Sequence, residues 1–495
     1  MRLSDQAAAA LFLENGGAPM QVLALSVLDS PTDLGAIQQH VWQRLRNASK
    51  YRQRLAYVPY NLGRPVWVDH DEFDITEHVI AVEAQGSSTD DAIAQAVQLA
   101  SVPLDRAKPL WRMYLIQTSD QSTVLAHVAH LAMLENVSLS EDAHVFFDLQ
   151  RTPRELDEDT WEPSPAPSGA QLATEALQEN TKQFAAQAQR LGNFSSSNGE
   201  MIRRATESVT RFLTEPVCMA PWNQGFVSAT RSFTHTSVPY LQIRAARRAL
   251  GGSDNDIVLS VLIEAAARYL KAHGVESKDQ HLRLFCPVKV RREDANGVRG
   301  NRISGAFPVA DCEPKAITDR LQEVRWENES IKQNREAQAL QLLSELAPPL
   351  PTIPGLDQEA TSRLFGQTPL NWLTFNPINF FQQFMPRSMP NISPLFTPSM
   401  AGFNFSCVTS QGAQTSLFFA GHEVKQQFMM PVLAANLGFG VAVTTYAQTL
   451  TFNLVADPAL MPDLELMQSH LEAALHELFE AAESTKTESP ETVKA

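Results

Sequence analysis

The sequence predicts an α/β protein made of two sandwich-like lobes. Three observations predict it. The chain has 495 residues, too long for one ordinary domain. Strand-like and helix-like patterns alternate irregularly in both halves, which argues against a single barrel. A Pro-, Ser- and acid-rich stretch at 152–170, followed by a polar Ala/Gln/Glu-rich helical pattern to 214, separates the halves. The expected division is a first lobe at 1–151, a connection at 152–216, a second lobe at 217–483 and a disordered tail at 484–495.

The elements follow in order. Residues 21–28, QVLALSVL, form an apolar strand that Ser30-Pro31 ends. Ile37, Val41 and Leu45 then share one helix face. Residues 89–101 read as a second amphipathic helix. After two prolines, residues 111–117 and the run VLAHVAHLA flank the turn Ser119-Asp120-Gln121-Ser122, so 111–131 reads as a hairpin. Segment 140–149 reads as helical.

In the second half, TRSFTHTSV is a strand. Ser253 and Asp256 make a capping box for a helix reaching about His273, with Val258, Val261, Leu262, Ala265 and Tyr269 as its apolar stripe. LRLFCPVKV is a strand, and 315–346 is a long helical pattern. Residues 349–400 are Pro-broken and dense in aromatics. Strands at about 403–409, 439–446 and 450–455 precede a helix at about 461–482.

Composition narrows the function. A net charge of −15 and a pI near 5.3 argue against nucleic acid, which needs basic patches, and against strong attraction to anionic membranes. Cys218, Cys286, Cys312 and Cys407 have no paired ligand spacing. They read as buried thiols in a reducing compartment, with no disulfide and no metal. The first residues lack the apolar core of a signal peptide, and no window reaches the roughly 18 apolar residues of a membrane span. The expectation is a soluble cytoplasmic protein.

Five landmarks in order carry a family resemblance. They are Pro19-Met20-Gln21-Val22; Pro103-Leu104-Asp105-Arg106 with Pro109-Leu110-Trp111; Asn255-Asp256-Ile257-Val258-Leu259; Pro287-Val288-Lys289-Val290-Arg291 with Gly300-Asn301-Arg302; and the stretch from Thr449 to Asp463. Together they resemble the bacterial wax ester synthase/diacylglycerol acyltransferase family. That resemblance implies two lobes of the chloramphenicol-acetyltransferase type with a tunnel between them. It implies transfer of an acyl group from acyl-CoA, the co-substrate, to a long-chain alcohol or diacylglycerol, with no other cofactor. It also puts Trp111, Met133, Leu134, Asn255 and Asp256 along the tunnel.

The family's HHxxxDG motif is degraded here. Aligned on Val137-Ser138, the chain reads His130-Leu131-Ala132-Met133-Leu134-Glu135-Asn136. The second family His is the general base that deprotonates the acceptor hydroxyl, and its position holds Leu131. Leu131 has no proton-accepting atom. Adjacent strand residues face opposite ways, so His130 is expected to face away from the tunnel in a structural role. Rescue by a local twist or bulge at His130 is the other reading. His127 shares the parity of Leu131 but lies about 13 Å along the strand, too far to act at the same point. From the related acetyltransferase fold, Glu135 is expected to pair with Arg291 and hold the loop. The bland reading of Glu135 is a solvated carboxylate. Asn136 in place of Gly still tolerates positive φ. Ser138 and Ser140 lack a GxSxG elbow, so a hydrolase triad is disfavoured.

Residues from Pro369 to about 400 carry Trp372, Phe375, Phe380, Phe381, Phe384 and Phe396, with Arg387 as the one charge. One reading is a hydrophobic lid over the core. The other is a lipid-facing surface on a membrane or lipid inclusion, or a tunnel entrance. Two functions stay open: an O-acyltransferase with a relocated base, and a non-catalytic relative that binds lipid, acyl-CoA or a regulatory partner. A carrier-linked, condensation-like transferase is a weaker third.

Overall fold

The apolar 21–28 run is the hub of the first sheet, because both of its edges are paired. The computed structural model describes residues 18–134, 145–192, 215–293, 299–334 and 403–488, apart from isolated positions, with parts of the first seventeen residues. The first half runs β1 (Gln21–Leu28), α1 (Leu34–Arg44), β2 (Gln53–Ala56), β3 (Val66–Asp69), β4 (Val79–Val82), α2 (Thr89–Ala100), β5 (Trp111–Gln117), β6 (Thr123–His130) and α3 (Gly169–Gly192). The second continues with β7 (Ser232–Pro239), α4 (Tyr240–Leu250), α5 (Asp254–Ala272), β8 (His281–Glu293), β9 (Arg299–Ala306), β10 (Val309–Asp311) and α6 (Ile317–Asn334). It ends with β11 (Phe405–Gln411), β12 (Phe418–Phe419), β13 (His422–Met430), β14 (Phe439–Tyr446), β15 (Thr449–Ala456) and α7 (Leu464–Glu488).

Two large sheets organise these elements, as the two-lobe reading expects. One has the order β12-β13-β1-β6-β5-β4, the other β10-β8-β11-β14-β15-β7, with β9 on β8. The hairpin of 111–131 forms as antiparallel β5 and β6, with Trp111 opposite Ala129. α2 covers the first sheet, capped by Ser88, whose hydroxyl and the Asp91 carboxylate exchange bonds with each other's backbone N–H. α4, α5, α6 and α7 pack together beside the second sheet.

Four departures from the sequence reading have physical causes. First, β13 was not foreseen, and it crosses from the second half to complete the first sheet beside β1. Its Glu423, Lys425, Gln426 and Gln427 hide the apolar alternation, and the pairing shifts register at Val27/Leu28. Second, of segment 140–149 only 145–149 is described, where Val145 and Phe146 are helical and the helix stops. Asp148 instead bridges Phe418 through backbone bonds, and its carboxylate takes Arg44 in a buried ion pair. Third, the exposed stretch after residue 151 is pinned to the first lobe, by Arg46 at Asp157, by Asp69 at Ser164 and most firmly by Arg52. The Arg52 guanidinium lies between the Trp42 and Trp161 rings, 4.6 and 4.9 Å from their centres, and pairs with Asp159. Fourth, the expected tail from 484 is helical to Glu488, with the hydroxyls of Ser484 and Thr485 bonded back one turn.

α5 obeys its box, with Ser253 and Asp256 exchanging both bonds. It is buried on nearly all sides rather than along one stripe, because α6 and α7 flank it. The four cysteines are free thiols.

Candidate functional site

The site grows from the end of β6. The His130 N–H donates to Leu110 O at 2.9 Å and the Leu131 N–H to Met20 O at 2.8 Å, so both neighbouring strands hold the chain where the motif begins. Leu131–Leu134 then form a single tight helical turn. Ala132, Met133 and Leu134 are buried, and Leu131 is half-buried against the core of the first lobe.

His130 is 1% exposed. Its Nδ1 accepts the Ala132 N–H at 3.0 Å, which puts the ring proton of the neutral form on Nε2. Nε2 faces Glu14 Oε2 at 3.5 Å. Glu14 Oε2 also receives Arg106 Nη2 at 2.7 Å, and Arg106 reaches Leu11 O. Burial pushes the Glu14 carboxyl up, but bonds and charge from His130 and Arg106 outweigh it and hold the group below its ordinary range. Gln21, opposite His130 across β1 and β6, bonds Ala100 O, Val102 O and the Leu104 N–H. Cross-strand partners share a sheet face. His130 and Gln21 therefore belong to the face that α2 covers.

The opposite face holds the other histidine. His127 lies in an aromatic box of Tyr51, Trp111 and Phe146, with Tyr51 Oη 3.5 Å from Nε2. Burial pushes its pKa down to about 4, so the ring is neutral at physiological pH. Trp111 is enclosed on every side. Its Nε1 donates to Tyr51 O at 2.7 Å and its ring stacks on His78 at 4.6 Å.

The resemblance also puts two residues of the second lobe along the tunnel. Asn255 is exposed in the first turn of α5. Asp256 is buried, closes the capping box, and accepts from Asn328 Nδ2 at 2.6 Å. His130, Leu131, Met133 and Leu134 are thus together, while Asp256 serves the helix cap and Asn255 is exposed beside it. Glu135 and Asn136 lie outside the described residues, as does the Arg291 side chain, although its backbone pairs with Asn301 between β8 and β9. The expected Glu135–Arg291 pair therefore lies outside them, and so does segment 369–400.

Sequence reasoning missed Glu14 and the bonding roles of Arg106 and Gln21. The last two sit inside quoted landmarks, but a pairing 92 residues apart has no local signal. Among the described residues no cluster of His, Cys, Asp and Glu could hold a metal ion, and no helix is long and apolar enough to cross a membrane.

Comparison with known proteins agrees with this architecture. Residues 3–258 match the wax ester synthase/diacylglycerol acyltransferase catalytic domain, and residues 359–479 match the family's C-terminal domain. A putative diacylglycerol O-acyltransferase of Mycobacterium tuberculosis is 25% identical over 97% of this chain and 91% of its own length. A probable diacylglycerol O-acyltransferase from the same species is 30% identical over 47% of this chain and 90% of its length. The wax ester synthase/diacylglycerol acyltransferase of Marinobacter aquaeolei VT8 superposes over 98% of this chain and 100% of its own, with a TM-score of 0.64 at 18% identity. The starter condensation domain of rhizomide synthetase covers 98% of this chain and 94% of its own, at a TM-score of 0.53 and 14% identity. The structural likenesses establish the shared α/β fold. With both family domains matched in sequence, the chain belongs to the wax ester synthase/diacylglycerol acyltransferase family.

Proposed function

We propose that this protein is an acyl-CoA-dependent O-acyltransferase of its family, of the kind that makes wax esters or triacylglycerol, impaired in catalysis because Leu131 stands where the base belongs. One observation carries the reading: both ring nitrogens of His130 are directed at the protein, Nδ1 to the Ala132 N–H and Nε2 to Glu14. A ring so held has no lone pair to offer an acceptor hydroxyl. A positioned base contributes about 10²–10⁴ in rate, so activity well below that of an intact relative is expected. Orientation of bound acyl-CoA and acceptor would sustain what remains.

The second reading is a non-catalytic acyl- or lipid-binding protein that regulates neutral-lipid storage. The same His130 geometry and the apolar Leu131, Met133 and Leu134 favour it. Association with membranes or lipid inclusions through 369–400 belongs to this proposal and to either reading.

The test is CoA release from palmitoyl-CoA with hexadecanol or diacylglycerol, for wild type, His130→Ala and Leu131→His. We expect a slow or silent wild type and a gain in Leu131→His. Turnover at a family-like rate that His130→Ala abolishes would make His130 the base and sink the proposal.

A further inference from the structure

The four cysteines are scattered along the sequence, but the fold gathers them into two pairs. Cys286 lies on β8 and Cys407 on the neighbouring β11. The parallel ladder between these strands joins Phe405 to Leu284 and Ser406 to Phe285, and Cys407 and Cys286 are the next residues on each strand. The two thiols lie in hydrogen-bonding contact, and Cys286 packs on the second core, of which Cys407 is part. Residues facing each other on neighbouring strands stand about 4.8 Å apart. That lies within the roughly 4.4–6.8 Å between Cα atoms that a disulfide spans.

The ladder stops here for a reason written in the sequence. The Leu284 N–H donates to Pro308 O, on the side of β9 and β10. The Arg283 N–H donates to Asn404 Oδ1, on the side of β11. Successive N–H groups of a strand face opposite sides, so after Phe285 the next donor toward β11 belongs to residue 287. That residue is Pro287, which has no N–H to give. From Cys286–Ala306 to Glu293–Arg299, β8 pairs with β9 alone among the described residues. The thiol pair therefore stands at the fork where a β8–β9 arm leaves the sheet. The arm carries the Pro287–Arg291 and Gly300-Asn301-Arg302 landmarks.

Exposure separates the two thiols. Cys407 is 2% exposed, whereas Cys286 is half-buried, so a small oxidant reaches Cys286 first. The contact with Cys407, and then burial, hold the Cys286 thiol above its ordinary range. Little thiolate forms, and the pair stays reduced until oxidant accumulates. Cys218 and Cys312 are also in contact, but both are fully buried and offer no such entrance.

We propose that Cys286 and Cys407 form an oxidation site that closes to a disulfide under a peroxide-class oxidant and clamps the arm to β11. Hydrogen peroxide takes two electrons from the Cys286 sulfur, leaving a sulfenic acid and releasing one water. The Cys407 sulfur then attacks the sulfenic sulfur. The S–S bond forms as the S–O bond breaks, and the hydroxyl leaves with the Cys407 proton as a second water. A dithiol reductant reverses the closure. The proposal goes beyond acyl transfer and does not depend on it.

The test is exposure of the full chain to hydrogen peroxide, then thiol counting with Ellman's reagent in guanidinium, and peptide mapping. The four thiols of the reduced chain should fall by one pair, with the Cys286 and Cys407 peptides linked, and dithiothreitol should restore them. Cys407→Ser should leave a Cys286 sulfenic acid that dimedone traps, and Cys286→Ser should keep its remaining thiols. Hydrogen exchange where β8 meets β11 should slow on oxidation in wild type and stay unchanged in Cys407→Ser. Survival of all thiols, thiol loss without a link, or a Cys218–Cys312 link in its place would overturn the site. Unchanged exchange once the link has formed would overturn the clamp. Should a variant fail to fold, the wild-type peptide map decides alone.

Discussion

His40, His78 and His127 are buried in the first lobe, and burial pushes each imidazole down to about 4. His40 bonds Phe146 O and His78 bonds Trp111 O, while His127 Nε2 lies 3.5 Å from Tyr51 Oη inside the aromatic box. In the unfolded chain these rings titrate near 6.5. Between about 6.5 and about 4 the unfolded state therefore binds more protons, and stability falls as pH falls through that window. The slope approaches about 1.4 kcal/mol per pH unit for each ring. The paired carboxylates, whose folded values are depressed, lose their contribution at lower pH. The urea midpoint should drop between about pH 7 and about pH 5, and His127→Phe, which suits the box, should flatten the drop. An identical profile in that variant would mean that His127 is not neutralised by burial.

At the scale of elements, α5 shows how a helix can be fixed by charge as well as apolar contact. Glu264 is fully buried. It receives Arg268 Nε at 2.9 Å, Arg320 Nε at 3.2 Å and the Lys315 N–H at 3.2 Å. Arg268 also forks onto both oxygens of Glu477, so α5, α6 and α7 are tied at one point. Without Glu264, Arg320 keeps Glu323 and Arg268 keeps Glu477, but three donors lose their shared acceptor. Glu264→Ala should cost about 2–3 kcal/mol. Ser253→Ala, which removes the cap alone, should cost about 1 kcal/mol. Urea denaturation of both variants compares them. A Glu264→Ala cost no larger than that of Ser253→Ala would show that the tie adds nothing.

Across the whole molecule, the two lobes share a strand. β13 belongs to the second half by sequence and to the first sheet by pairing, where it covers the β1 edge from Leu23 to Leu28. Phe428 and Met430 on β13 join the first core. A fragment 1–216 would leave that edge open, and an uncovered apolar edge templates association. Size-exclusion chromatography should find the fragment aggregated and the full chain soluble, with one unfolding transition for the full chain. A monomeric fragment with its own cooperative melt would show that the first lobe does not need β13.

Much of this was legible in the sequence, for reasons that are local. β1, the β5–β6 hairpin, the Ser253–Asp256 box and the terminal strands announce themselves within windows of about ten residues, because side-chain alternation and capping act between near neighbours. The departure from the family pattern at Leu131 was equally legible, since it is a change of residue type. The direction of the His130 ring, the partnership with Glu14 and Arg106, the enclosure of Trp111 and the crossing of β13 were not. Most join residues far apart in the chain: Glu14 and Arg106 are 92 positions apart, and Leu23 and Met430 are 407. The sequence by itself determined the family, the two-lobe architecture and the presence of Leu131 directly after His130. Only the tertiary structure decided which buried charges meet, because desolvation forces each to find a partner wherever the fold has one, however distant along the chain.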